Sequence, residues 1–196
     1  MLTEKNSKTT LSLSAGRGRG KSAALGLGIA AAIKMGFSNI FVTAPSPSNL
    51  KTFFEFVVVG LELLGFKERM DFEKIHSNNK DYENAVMRIN LFKSHTQFVQ
   101  YVFPNDSDKI GHTDLVVIDE AAAIPLPYVK SFFGPHCVFL SSTINGYEGT
   151  GRSLSLKLIQ EIKDQNRKGT EGNVSFRKLR EVTMTDPIRY ALDDEV

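Results

Sequence analysis

The run Ala15-Gly16-Arg17-Gly18-Arg19-Gly20-Lys21-Ser22 constrains this chain more than any other stretch, because few folds can use three alternating glycines followed at once by Lys-Ser. Glycine lets a backbone turn its N–H groups onto an anion without Cβ clashes, and a helix opening on the same residues adds the favourable end of its dipole. The flanks supply the rest of such a unit. Thr9-Thr10-Leu11-Ser12-Leu13 is β-prone and alternating, which predicts a strand feeding the loop. Ser22 to Met35 is rich in alanine and leucine and stops at Gly36, which predicts a helix leaving it. Strand, glycine loop, Lys-Ser and helix in that order read as a phosphate-binding loop. In that reading Gly16, Gly18 and Gly20 turn backbone N–H groups to phosphate, Lys21 reaches the β- and γ-phosphates, and Ser22 ligates Mg²⁺. The standard spacing asks for glycine where Ala15 stands. Alanine there narrows the allowed backbone angles but removes no phosphate contact.

A second motif completes the first. Leu115-Val116-Val117-Ile118-Asp119-Glu120 is an apolar strand ending in two acids, and in a parallel sheet its carboxyl end lies at the edge where ligands bind. Asp119 is the expected Mg²⁺ partner, directly or through water, since magnesium takes a few carboxylate oxygens and keeps its waters. Glu120 is the expected base that orients and deprotonates an attacking water. The small residues Ala121-Ala122-Ala123 that follow let the strand end tuck against the sheet. Next comes Leu140-Ser141-Ser142-Thr143, ending another buried strand. Ser142 and Thr143 are candidates for sensing a γ-phosphate through a hydroxyl, with a simple turn as the alternative. Arg152, in the glycine-rich Gly146-Tyr147-Glu148-Gly149-Thr150-Gly151-Arg152, reaches a phosphate or a nucleic-acid backbone, or else salt-bridges its neighbour Glu148. Arg17 and Arg19 add charge near the phosphates or else point to solvent or to another domain.

Strand and helix patterns alternate along the chain. That predicts an α/β fold of the RecA-like P-loop NTPase type, a mostly parallel sheet with helices on both faces. Asn39 to Thr43 reads as a strand broken at Ala44-Pro45-Ser46-Pro47, with Ser46 an N-cap. Leu50, Phe53, Phe54, Val57, Val58, Leu61 and Leu64 form one helical face ended by Gly65, with the Phe pair in the core. Phe66 to Asp81 is polar and mixed, and its Asn78-Asn79-Lys80-Asp81 reads as a loop. Strands are expected over Met87–Phe92, Gln97–Phe103, Asp114–Ile118 and Val138–Ser142, and helices over Leu126–Phe133 and Ser153–Lys168. Val174 to Met184 adds strand. The 196 residues make a single domain, with residues 1–8 and 169–173 flexible and an unmarked ending that suggests truncation.

Bulk properties mostly exclude. A net charge of +2 offers no electrostatic argument for nucleic acid. Cys137 stands alone in an apolar run, so no internal disulfide forms and it reads as a buried strand residue. His76, His95, His112 and His136 lack metal-ligand spacing and read as structural. No apolar stretch is long enough for a membrane span and no signal peptide opens the chain, so a soluble intracellular protein, or a piece of one, is expected. The guanine signature N-K-x-D and the D-x-x-G switch are absent, which favours adenine nucleotide, and a D-E box with a later serine–threonine element looks more like a helicase motor lobe than a small-molecule kinase. Two alternatives remain open: a P-loop kinase acting on a small molecule, and a nucleotide-dependent scaffold with little turnover.

Several strings together resemble one family. Gly16 to Ala23, Val42-Thr43-Ala44-Pro45-Ser46-Pro47, Val117 to Pro127 and Ser142 to Ser153 are similar to the helicase-like module of the RNA cytidine acetyltransferases, and Asn145 resembles the eukaryotic branch. The resemblance implies a longer protein that forms N4-acetylcytidine in small-subunit rRNA and in tRNA from acetyl-CoA and ATP, and that works in the nucleolus. It implies RNA and the protein's other domains as partners, with an oligomer possible and no membrane. It also carries an ATP contact onto Arg189, in Pro187-Ile188-Arg189-Tyr190-Ala191. Nothing here resembles the family's acetyl-CoA loop, so this chain alone is not expected to acetylate.

Overall fold

The computed structural model describes residues 8–82, 84–143, 157, 160 and 177–185. Their centre is the glycine loop and the two elements it joins. Strand β1 (Thr9–Ala15) runs into the loop and helix α1 (Lys21–Lys34) leaves it. Then follow β2 (Asn39–Thr43), a 3₁₀ turn over Pro47–Leu50, helix α2 (Lys51–Leu63), and an antiparallel group β3 (Phe72–His76), β4 (Val86–Leu91) and β5 (Gln97–Tyr101). Strand β6 (Leu115–Ile118), a 3₁₀ turn over Ala121–Ala123, helix α3 (Leu126–Ser131), β7 (Cys137–Thr143) and β8 (Lys178–Met184) complete the described elements.

These strands form one sheet in the order β3-β4-β5-β2-β6-β7-β1-β8. Every pairing from β5 to β8 is parallel; β4 alone runs against its neighbours. The expected mostly parallel sheet is present. Strand β7 lies between β6 and β1, so the acid-bearing strand is not the loop strand's immediate neighbour and the two motifs meet across one intervening strand.

Side-chain alternation divides the core in two. Ile40, Val42, Leu115, Val117, Cys137 and Phe139 pack with Leu25, Ile29 and Ile33 of α1 and with Phe53, Phe54, Val57 and Leu61 of α2. The intervening residues Phe41, Val116, Ile118, Val138 and Leu140 pack with Val129 of α3 and with Phe132, which follows it. Both faces are thereby covered, and the long apolar runs of β6 and β7 follow from double-sided burial.

Two expectations need correcting. The polar stretch Phe66 to Asp81, for which no strand is expected, contains β3, which pairs with β4. Phe72 is its one buried side chain, so an edge strand this polar carries no alternating signal. Leu64 also leaves the predicted helix face: it caps α2 and stands 38% exposed. Ser46 caps as expected, its Oγ accepting from Ser48 N at 3.4 Å, but it caps the 3₁₀ turn that leads into α2. The Phe53–Phe54 pair is core, in an edge-to-face contact. Cys137 is buried in β7. Of the helix expected over 153–168, only Lys157 and Gln160 are described, both helical; residues 1–7 and 169–173 lie outside the described residues.

Helices α1 and α2 cross at two glycines. A Cβ on Gly26 would meet the Phe53 carbonyl oxygen at 2.5 Å and the Val57 nitrogen at 2.9 Å, and one on Gly60 would meet the Ala30 Cβ at 2.5 Å. Gly26→Ala must push backbone away, so it is expected to cost about 2 kcal/mol of stability. Gly28→Ala, on the same helix, meets nothing within 4 Å. It should stabilise by about 0.5 kcal/mol through helix propensity. Urea unfolding of both variants checks the contrast, and equal midpoints would contradict the close crossing.

Candidate functional site: a glycine loop facing paired acids

The loop's backbone explains which of its small residues are needed. Gly18 (φ 75°) and Gly20 (φ 78°) sit in the left-handed region, and Gly20 is the N-cap of α1. A side chain at either would be strained. Gly16 is different: a Cβ there would meet only the Arg19 side chain, at an ordinary 3.7 Å. Ala15 is still strand, paired with Thr143 of β7 and Met184 of β8, so the imperfect glycine slot falls where extended backbone needs no glycine.

Lys21 folds back over the loop, its Nζ donating to the Ala15 carbonyl at 3.1 Å and the Gly16 carbonyl at 3.0 Å. It is the only buried lysine or arginine among the described residues. Burial pulls its ammonium below the usual lysine range, and the carboxylates of Asp119 and Glu120 oppose that pull. Ser22, in the first turn of α1, donates from Oγ to Asp119 Oδ2 at 2.8 Å. Asp119 follows directly after β6 and is 1% exposed. Its Oδ1 accepts from the Ser141 hydroxyl and from the Glu120 backbone N–H at 3.0 Å. These bonds to the carboxylate come from the glycine-loop helix, the middle strand and its own chain neighbour.

Glu120 is exposed and stands at φ 50°, a left-handed conformation that costs on the order of 1 kcal/mol in a non-glycine residue. Its Oε2 accepts from Asn49 Nδ2 at 3.0 Å. Desolvation, and then the Asp119 charge, raise its carboxyl above the usual range, against Lys21 and Arg17. Arg17 is exposed at the loop and acts on Glu120, while Arg19 turns away and donates to the Thr185 carbonyl at 2.7 Å, tying the loop to the end of β8. Thr143 ends β7 beside Ala15 at the loop mouth. Ala23 is half-buried in the first turn of α1. Arg152 and Arg189 lie outside the described residues.

The structure therefore brings together Lys21, Ser22, Asp119, Glu120 and Arg17, and turns Arg19 elsewhere. Sequence reasoning misses two residues. Ser141 bonds Asp119, whereas the strand-end motif singles out Ser142 and Thr143. The alternation beginning at Cys137 and Phe139 puts Ser141 on the α1 face with Asp119, and that signal is readable. Asn49 has no such signal, because its contact with Glu120 joins residues 71 apart in sequence. Two of the histidines have backbone partners that suit a structural role: His136 Nε2, buried, is 2.9 Å from the Phe132 carbonyl, and His76 Nδ1 is 2.8 Å from that of Asn84. No described helix is long and apolar enough to cross a membrane.

Residues 12–196 match the family model for the helicase domain of the RNA cytidine acetyltransferase NAT10/TcmA. The RNA cytidine acetyltransferase of Schizosaccharomyces pombe is 53% identical over 204 residues, and that of Homo sapiens 53% identical over 207. Each match takes in 100% of this chain and 20% of the relative, so the chain spans a fifth of the length of these proteins. Among solved structures, the large terminase from a thermophilic bacteriophage superimposes with a TM-score of 0.60 at 10% identity, over 94% of this chain and 42% of the terminase. The large terminase ATPase domain of Thermus phage P74-26 does so with a TM-score of 0.52 at 16% identity, over 91% and 75%. The first of these terminases, in complex with ATP-gamma-S, gives 0.58 at 11%, over 93% and 41%. At such identities the likeness is one of fold, that of P-loop ATPases.

Proposed function

We propose, since the chain belongs to the NAT10/TcmA helicase-domain family of RNA cytidine acetyltransferases, that it is the ATP-binding and ATP-hydrolysing module of a longer RNA-acetylating protein. The observation that carries this reading is the bond from Ser22 to Asp119 beside the buried Lys21, which joins the loop to the acids. The whole protein would form N4-acetylcytidine in small-subunit rRNA and tRNA, with acetyl-CoA used by a domain outside this chain, and would act in the nucleolus.

The donor set fits a hard divalent cation. Ser22 and Asp119 put a hydroxyl and a carboxylate oxygen 2.8 Å apart. These are the oxygen ligands magnesium takes, directly or through water. When bound there, magnesium would neutralise charge on the β- and γ-phosphates. The remaining work belongs to the chain. Backbone N–H groups of Gly16 to Ala23, Arg17 among them, hold the phosphates at the start of α1. Lys21 exchanges its loop carbonyls for β- and γ-phosphate oxygens. Ser141 and Ser22 hold Asp119 in one orientation, while Thr143, whose backbone pairs with Ala15, would sense the γ-phosphate. Glu120 orients a water and takes its proton as the water oxygen bonds the γ-phosphorus, and ADP departs in line with the electron pair of the broken P–O bond. Arg152 and Arg189 are proposed as further nucleotide contacts.

The reading predicts that the 196-residue chain binds ATP at least about tenfold more tightly than GTP, because it lacks the N-K-x-D signature that hydrogen-bonds guanine. Competition of the two nucleotides for a fluorescent ATP analogue measures this. Equal affinities would remove the adenine assignment. Phosphate release with and without structured RNA then separates the possibilities: release to water supports a hydrolase, transfer to an acceptor a kinase, and binding without turnover a scaffold.

A further inference from the structure

The bond between Asn49 and Glu120 has a direction. In the sheet order β2-β6-β7-β1, β2 flanks β6 on the side away from the glycine loop. Asn49 sits on the turn that follows β2, so it holds the Glu120 carboxylate from the side opposite Lys21 and Arg17. Both ends of the bond are fixed in the backbone. The Asn49 turn is pinned by buried Pro47 and Leu50, and Asn49 N donates to the Ser46 carbonyl at 3.1 Å. The Glu120 backbone N–H donates to Asp119, and its carbonyl accepts from Ala123 N at 2.9 Å. What can move is the glutamate side chain, which has an amide donor on one side and two of the loop's three cations, Lys21 and Arg17, within electrostatic reach on the other. The bond is solvent-exposed, so water can take over both partners when the side chain swings away.

Resting on the proposed ATPase function, we infer that Asn49 is a positioning residue that holds the Glu120 carboxylate off the glycine loop between turnovers, and that Glu120 leaves Asn49 before it activates water. The tether slows hydrolysis without touching nucleotide, since Asn49 lies across β6 from the loop.

Steady-state hydrolysis and nucleotide binding by the 196-residue chain test this. Asn49→Ala and Asn49→Leu should each raise kcat for ATP about 3–10-fold, the net worth of one hydrogen bond, and change KM by less than about twofold. Added to Glu120→Gln, neither should change the residual rate. A second readout needs no turnover. The Asn49 side-chain amide resonances of the free chain should shift in Glu120→Ala, and shift the same way when ATP-gamma-S is added to the parent. A kcat equal to or below the parent's in both Asn49 variants, or Asn49 resonances indifferent to Glu120→Ala, overturns the inference. So does a parent chain that binds ATP while neither it nor the variants hydrolyse it. A parent that fails to bind ATP overturns the underlying function as well, and the binding measurement tells the two failures apart.

Discussion

Glu120→Gln is expected to leave ATP binding within about twofold of the parent and to cut hydrolysis by about 10²–10³-fold, the range a positioned general base contributes. Glutamine keeps the size of the side chain and an oxygen for Asn49 Nδ2, so the local hydrogen bond survives while the proton acceptor is lost. Binding should survive because the loop contacts come from Lys21 and the start of α1, across β7 from Glu120. The pH profile gives a second measure. Desolvation and the neighbouring Asp119 hold the Glu120 carboxyl above the usual range. A base works only when ionised, so parental turnover should fall as pH is lowered toward that raised value, on a limb starting at higher pH than for an ordinary carboxylate. The residual activity of Glu120→Gln should lack this limb. Phosphate-release rates across pH in both proteins measure it, and an unchanged rate at neutral pH would take Glu120 out of the role of base.

How much of this is legible in the sequence depends on where each signal lives. The loop, its strand and its helix are readable because the contacts that define them are local. Gly18 and Gly20 are needed for their own φ, and Lys21 reaches carbonyls five and six residues back. The strands β2, β6 and β7 show themselves through burial on both faces. Strand β3 does not, because a hairpin edge with one buried residue leaves no hydrophobic period. At the site, the acids are found by motif, but their wiring is not. Proximity to the strand end favours Ser142 over Ser141, although side-chain alternation decides which hydroxyl shares a face with Asp119. The insertion of β7 between β1 and β6 is likewise a property of topology, visible only once the strands pair. Arg19 shows the converse: a residue inside the glycine motif whose grip on Thr185, 166 residues away, no local signal announces.

Lys21→Ala should lower ATP affinity by at least about 100-fold, the equivalent of losing one to two hydrogen bonds to a charged group. Geometry makes the loss larger than that of a surface cation. The ammonium is buried and satisfies the Ala15 and Gly16 carbonyls, so its removal deletes a positive charge and leaves two carbonyl oxygens without that donor. It also removes a cation that lowers the Glu120 pKa, leaving Asp119 and Glu120 with less to balance them. Stability should change little, because alanine is a strong helix former at the first residue of α1 and the ammonium's desolvation cost disappears with it. Loss of ATP binding with an unfolding midpoint close to the parent's therefore separates a binding defect from a folding one. Lys21→Arg sharpens the test: the larger planar guanidinium keeps the charge but cannot occupy the same buried position between two backbone carbonyls, so it should bind ATP far more weakly than the parent. Fluorescent-ATP titration of the three proteins, each first checked by thermal unfolding, gives the answer. Parental affinity in folded Lys21→Ala would mean that the loop does not bind phosphate through this lysine, and the nucleotide reading of the site would fall.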